Sequence, residues 1–398
     1  MGKDYLLIGV DGGATKVSGW SIDINTVENT FNLGEIHAER SYRDIPGYIA
    51  DFKPIEVTTQ LKERETGAIN PTNDEKQQAA VYVEACAQVV EDIVSVNKQN
   101  SVLVGLGMPG LKTENKRGIS ALANGPRMIH YCDQLEKRLE IKDIQFLSRI
   151  DHIGSDADYC GIGENYSAEG LFKDIKNGYY LGGGTGVADA MKLNKKLVPF
   201  DETKEWIAKT WEMKSNDGRS LERFASAGGI QNIYAEHSKT DVSELNNKQI
   251  FPYQVAELAV RGEEAAIKTY QEVVKNISLL LYERISTLYG GWQSIFTFVN
   301  PNRSGLSDQH PYIGFLFDKI IIGQRLGDVF DSEAGLKILK MPVIKELENH
   351  IQSSSILDAR AKNHYSNLEG LLFTSKLREA PVIGAGIDAY LTFTQKGG

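Results

Sequence analysis

Cysteine is scarce. Cys86, Cys132 and Cys160 are the only three in 398 residues, widely spaced and outside any Cys-x-x-Cys pattern. That excludes a disulfide framework and a cysteine-based zinc cluster as organising devices, so no zinc site is expected and a reducing, cytoplasmic setting is the simplest home. Long apolar runs are missing too. Nothing approaches the roughly 18 residues of a membrane-spanning helix, and the run that opens at Tyr5 turns polar too soon for a secretory signal. Positive charge never gathers into a block, and the formal net charge is -9, so neither nucleic acid nor a membrane is an expected partner. An anionic substrate would have to be met by local dipoles and a metal ion. Neither a Walker A sequence nor a Gly-x-Gly-x-x-Gly opening after a strand occurs, which disfavours P-loop and Rossmann sites.

What is present suits a chain folded nearly end to end: 41% hydrophobic and 24% charged residues, close to globular averages. The length exceeds what one core sustains and predicts two lobes. Residues 5–23 alternate around Asp11-Gly12-Gly13-Ala14-Thr15, the pattern of two strands joined by a glycine-rich turn. Thr72 and Glu75 form a capping box ahead of a helix carrying Ala79, Val83, Ala87, Val90 and Val94. Val102 to Gly107 reads as a buried strand stopping at Met108-Pro109-Gly110, and Ile144 to Leu147 as another running toward Ser155-Asp156 and a helix over 157–166. Residues 178–193, centred on Gly182-Gly183-Gly184-Thr185-Gly186, echo the opening hairpin. Two such units predict a duplicated α/β fold with a cleft between its halves. Beyond Leu221 the chain is mostly helical, with Val274, Ile277, Leu281, Ile285 and Leu288 as a core stripe. Residues 319–323 and 380–386 are expected strands, the second ending in the turn Gly384-Ala385-Gly386. Residues 300–310 read as a surface loop.

Glycine-rich turns at strand ends suit phosphate, because the backbone can approach closely and aim several N–H groups at one anion. The three turns at Gly12-Gly13, Gly183-Gly184 and Gly384-Ala385 are candidates. Asp11 ends a buried strand, where a carboxylate can hold Mg2+ through water while Thr15 and Lys16 face phosphates; the bland alternative is an Asx turn. Asp156 sits at the carboxyl end of an expected strand, placed to take a proton from an attacking hydroxyl, unless it or Ser155 or Asp158 is simply a helix cap. His152 and Cys160 are read as packed or satisfied groups, and the acidic run 201–205 as a solvated helix start.

Together these motifs resemble the ROK family of sugar kinases within the actin-like ATPase superfamily, over most of the chain and in the right order. Gly9 to Lys16 resembles the DxGGTK phosphate motif, with Ala14 between the glycines and Thr15-Lys16. Residues 105–110 resemble the GxGxPG turn, and Asn124 lies in the position of the following sugar-contacting segment. Residues 155–164 resemble NDAxxAALGE, which makes Asp156 the expected catalytic base, with Ser155 in place of an asparagine that contacts sugar. Gly183, Gly184, Thr185 and Gly186 match the second phosphate motif, Gly384 and Ala385 the adenosine-side turn, and Glu222 the glutamate of an ExxASG stretch that binds sugar hydroxyls. The ExGH sugar motif and the CxCGxxGCxE zinc site of the family are absent.

The resemblance implies a duplicated ribonuclease H-like (actin-like ATPase) fold, with a small lobe over 1–126 that takes residues 387–398 as a candidate completing element, and a large lobe over 127–386. The segments around 300–310 and 331–375 exceed a minimal member. It also implies ATP, Mg2+ at Asp11, a hexose or N-acetylhexosamine substrate, and the dimer usual in the family. Two rivals stand beside the kinase. One is a partner-coupled ATPase of the same superfamily, which would lack the cluster-binding cysteines of known activators. The other is a non-catalytic sugar-sensing binding protein, although no helix-turn-helix precedes Tyr5.

Overall fold

The computed structural model describes residues 5–397. Packing divides the chain into two units, one reaching Gly170 and resuming at Glu379, the other spanning Leu171–Arg378.

The first unit is built on a six-stranded sheet. Strands Leu6–Gly12, Lys16–Asn25 and Thr30–Ser41 form an antiparallel meander. Ser101–Gly107 then adds parallel to the first strand, and the short strands Gln145–Phe146 and Ile153–Gly154 both pair parallel with it. Leu6–Gly12 is apolar almost throughout because both its faces are covered. Ile8 and Val10 join the core under helix Asn73–Asn97, while Leu7 joins the opposite core under helix Ala380–Gln395. The long helix starts at the expected capping box, with the Thr72 side chain accepting from the Glu75 N–H and the Glu75 carboxylate from the Thr72 N–H. The third strand, Thr30–Ser41, lies beyond the hairpin read from residues 5–23.

The second unit repeats this order. Gly178–Gly183, Val187–Leu193 and Lys196–Leu197 form an antiparallel meander, and Lys319–Gly323 and Leu372–Thr374 add parallel beyond Gly178–Gly183. Helix Glu264–Gly290 carries the expected stripe, and Val274, Ile277, Leu281, Ile285 and Leu288 are all buried. Residues 300–310 hold no helix or strand, as expected, whereas 331–375 contain helices Met341–Ser353 and Ala359–His364 and the last strand of the sheet.

Two expectations are corrected. The units divide at Gly170 and Glu379, not after 126 and 386, because Ile153–Gly154 pairs into the first sheet and helix Asp156–Tyr166 packs on the C-terminal helix. Residues 380–386 are not a strand and turn but the opening of helix Ala380–Gln395, with Pro381 in its first turn, where the missing N–H costs nothing. Among the described residues, no helix is long and apolar enough to cross a membrane.

Candidate active site

In the first unit the site starts where the first strand ends. Asp11 pairs in register with Ser18 on one side and Gly107 on the other. The turn closes with a bond from the Gly13 N–H to the Lys16 carbonyl at 2.8 Å, and its other carbonyls are drawn back into the unit. Tyr82 Oη donates to the Ala14 carbonyl at 3.2 Å, and the Tyr42 N–H donates to that of Thr15 at 3.0 Å. The Tyr42 and Tyr82 rings stack at 3.7 Å beneath it. Gly12 packs closely on the first unit, since a Cβ there would stand 2.5 Å from the Met108 methyl, and that flexible side chain would have to turn aside.

Asp11 is the unusual group. Its Oδ1 is buried and, among the described residues, has no hydrogen-bond partner, and the nearby Tyr42 hydroxyl is orphaned in the same way. Burial, then the negative charges of Asp156 and Glu379, push the Asp11 carboxyl up to about 7 against the opposing pull of Lys112 and Lys16. A buried carboxylate oxygen without a donor fits a cation. Among the described residues no three or more His, Cys, Asp or Glu side chains converge, so an ion at Asp11 would complete its shell with phosphate oxygens and water. Thr15 and Lys16 are exposed on the turn, and the Lys16 ammonium pairs with Glu39 of the third strand. Neither Glu39 nor Lys112 is signalled by a local motif.

Asp156 opens helix Asp156–Tyr166 directly after strand Ile153–Gly154. It is exposed, and among the described residues it accepts only from the Ala157 N–H, at 2.9 Å. The cap is Ser155, whose Oγ accepts from the Asp158 N–H at 3.1 Å and donates to the Asp158 carboxylate at 2.8 Å. The capping alternative therefore belongs to Ser155 and leaves the Asp156 carboxylate open. Asn124 is exposed in the turn after strand Ile119–Ala121. Its neighbour Gly125 lies 3.2 Å, measured from an ideal Cβ, from the Tyr82 hydroxyl that holds Ala14, so the two loops share one support.

In the second unit the turn Gly183–Gly186 closes by a bond from the Gly184 N–H to the Gly186 carbonyl at 2.9 Å, with Thr185 exposed at its tip. The Ala227 N–H donates to the Gly184 carbonyl at 2.9 Å, which seats the turn on the start of helix Ala227–Ser238. Glu222 comes to the same place. Its Oε1 accepts from the Val187 N–H at 3.1 Å and lies 2.7 Å from where a Gly186 Cβ would stand. Gln324, at the end of strand Lys319–Gly323, lines the other side, with Oε1 2.5 Å from the corresponding point on Gly184 and a backbone φ of 56°. A non-glycine residue in that left-handed region is uncommon and concentrates at functional turns. The strand was legible in sequence, but the residue after it was not singled out.

Gly384 and Ala385 do not form a phosphate turn. Both are buried within the C-terminal helix, where glycine serves close packing: a Cβ on Gly384 would stand 1.9 Å from the Tyr159 carbonyl, and one on Gly105 only 1.8 Å from the Ala385 carbonyl. Gly105, the first glycine of the GxGxPG run, thus admits the helix backbone.

No protein-family model matches the sequence, and no curated protein matches it at a significant level. Solved structures do match over nearly the whole chain. A ROK family glucokinase from Streptomyces griseus, in complex with glucose and AMPPNP, gives a TM-score of 0.57 at 13% identity, covering 97% of this chain and 99% of that one. A ROK hexokinase from Thermus thermophilus gives 0.52 at 13%, covering 98% and 99%. A ROK family transcriptional regulator, a homologue of the E. coli MLC protein, gives 0.54 at 11%, covering 97% of this chain and 78% of its own. The chain therefore has the two-sheet α/β fold of these proteins, a fold shared by sugar kinases and a regulator.

Proposed function

We propose that the chain is an ATP-dependent kinase that transfers the γ-phosphoryl group to a hydroxyl of a hexose or N-acetylhexosamine. The observation that carries this reading is the pair of carboxylates in the first unit. Asp11 is half-buried and its Oδ1 is a buried oxygen that no donor among the described residues satisfies, whereas Asp156 is open at a helix start with one backbone N–H for company. Such a division suits one group for a cation and the other for a proton.

In this reading Asp11 holds Mg2+, which supplies charge neutralisation at the phosphates when bound. Thr15, Lys16, Gly12 and Gly13 line the phosphate side in the first unit, and Gly183, Gly184, Thr185 and Gly186 in the second. Asp156 takes the proton of the attacking hydroxyl and holds that oxygen in line. Asn124 and Glu222 are the proposed sugar contacts, with Glu222 also holding its turn through Val187. Ser155 acts through its cap, which fixes where the Asp156 carboxylate points.

The fold is also that of a regulator, and the pairing of Lys16 with Glu39 keeps a non-catalytic sugar binder as the second reading. ADP release with Mg-ATP, measured across hexoses, hexosamines and N-acetylhexosamines, separates the two. Sugar-stimulated release supports the kinase; sugar binding without any stimulated release would falsify it.

A further inference from the structure

Asp156 makes so little contact of its own that something else must fix its place. The residues on either side of it turn to one group. Four positions before it, His152 Nε2 lies 2.9 Å from Asp388 Oδ2, while His152 Nδ1 lies 3.1 Å from Asp151. Three positions after it, the Tyr159 hydroxyl makes long bonds of 3.4 Å to the same Asp388 Oδ2 and 3.3 Å to the Leu106 carbonyl. Asp388 belongs to the C-terminal helix, so one carboxylate there spans the segment that presents Asp156.

The surroundings make this connection stiff. Tyr159 is buried, and a Cβ on Gly154 would stand 2.2 Å from its ring, so the ring lies flat against the strand that precedes Asp156. The same ring reaches Gly107, where the Cβ position lies 3.1 Å from the ring and 3.0 Å from Asp11 Oδ1. Bonding to Asp388 raises the His152 pKa above the usual histidine value, against the effect of burial, so the contact is charge-assisted. Lys396, just past the end of the same helix, pairs with Asp151 and closes the far side.

We propose that Asp388 is a positioning residue for Asp156, holding the 152–159 segment from both sides through His152 and Tyr159. The proposal rests on the kinase reading for its catalytic meaning and on geometry alone for the bracket. A bracket of this kind sets orientation, so its loss should act on turnover and leave nucleotide binding in place.

The test uses the full chain carrying Asp388→Ala, Asp388→Asn or His152→Gln, with sugar-dependent kcat, KM for Mg-ATP and amide hydrogen exchange over 152–159 measured for each. Asp388→Ala should lower kcat by roughly 10- to 100-fold with KM within about twofold, and should raise exchange in that segment. Asp388→Asn, which keeps an oxygen acceptor, should recover part of kcat, and His152→Gln should lose less than Asp388→Ala. An unchanged kcat with unchanged exchange overturns the bracket. A fall in nucleotide affinity matching the fall in kcat, together with exchange raised across the whole helix, also overturns it, because Asp388 would then merely support the fold. If the wild-type chain turns over no sugar, the kinase reading has failed by itself, and the exchange measurement alone decides whether Asp388 holds the segment.

Discussion

Arg127 is buried, and its guanidinium meets Glu75 through two bonds of 2.8 Å, pairs with Glu63 and reaches the Asn70 carbonyl at 3.5 Å. Burial pushes the Glu75 carboxyl up, but the Arg127 bonds outweigh it and hold the group below its usual range. One cation thus ties the turn carrying Asn124 to the start of the long helix. Removing it strands a buried carboxylate, so Arg127→Met should destabilise the protein by about 3–5 kcal/mol, read as a shift of the urea midpoint. Arg127→Met paired with Glu75→Leu should recover much of that loss, since neither charge then remains unpaired. Asp156→Asn has the opposite profile. Its side chain is exposed and carries one backbone bond, so stability should stay near wild type while sugar-dependent kcat falls by about 10² or more. Unchanged turnover in that variant would remove Asp156 from the role of base.

At the scale of elements, glycine is the residue whose meaning depends most on what lies across from it. The turn at Gly12-Gly13 was legible because its chemistry is local: a strand ends, a carboxylate follows, and the chain reverses within a few residues. The capping box at Thr72 and Glu75 was legible for the same reason. Gly384 was misread because a small-residue run means either a turn or a close approach, and only the three-dimensional neighbour decides. Pro381 in the first helical turn was the available sign. Glu222 on Val187, Asp388 across Asp156 and Arg127 on Glu75 join residues far apart in sequence, which no spacing rule reaches. Close packing has its own consequence. In Gly105→Ala the new methyl would stand 1.8 Å from the Ala385 carbonyl, which is backbone and cannot rotate away. The C-terminal helix must then shift, at about 1–3 kcal/mol, and exchange along Ala380–Gln395 should rise. Gly218→Ala, at a left-handed glycine with no atom within 4 Å of its Cβ position, is the contrasting case: any loss there reports backbone strain alone.

For the whole molecule, the charges at the candidate site set how stability responds to pH. Asp11 has a folded value near 7 against 3.8 when unfolded, so the folded chain binds the extra proton between those values. Stability must then fall as pH rises through that window, and the penalty is complete above it. His152 acts with the same sign, because its raised folded value makes its contribution full below about 6.5 and lost as pH climbs further. Asp217 opposes only at the acid end. Bonding to Arg219 holds its carboxyl down to about 2, so its contribution is present above the ordinary carboxylate value and lost below it. From pH 6 to 8 the ligand-free protein should therefore lose about 1 kcal/mol through Asp11 and melt a few degrees lower, with a further loss from His152. Asp11→Asn should flatten most of that slope and make the ligand-free protein the more stable of the two at pH 8. If Asp11 holds Mg2+ beside a nucleotide, adding Mg2+ with AMPPNP at pH 8 should raise the wild-type melting temperature and do little for Asp11→Asn, because only the wild type gains a partner for its buried oxygen. Parallel melting profiles for the two proteins, with and without the nucleotide, would mean that Asp11 is an ordinary solvated carboxylate and that the cation, if one binds, is held elsewhere.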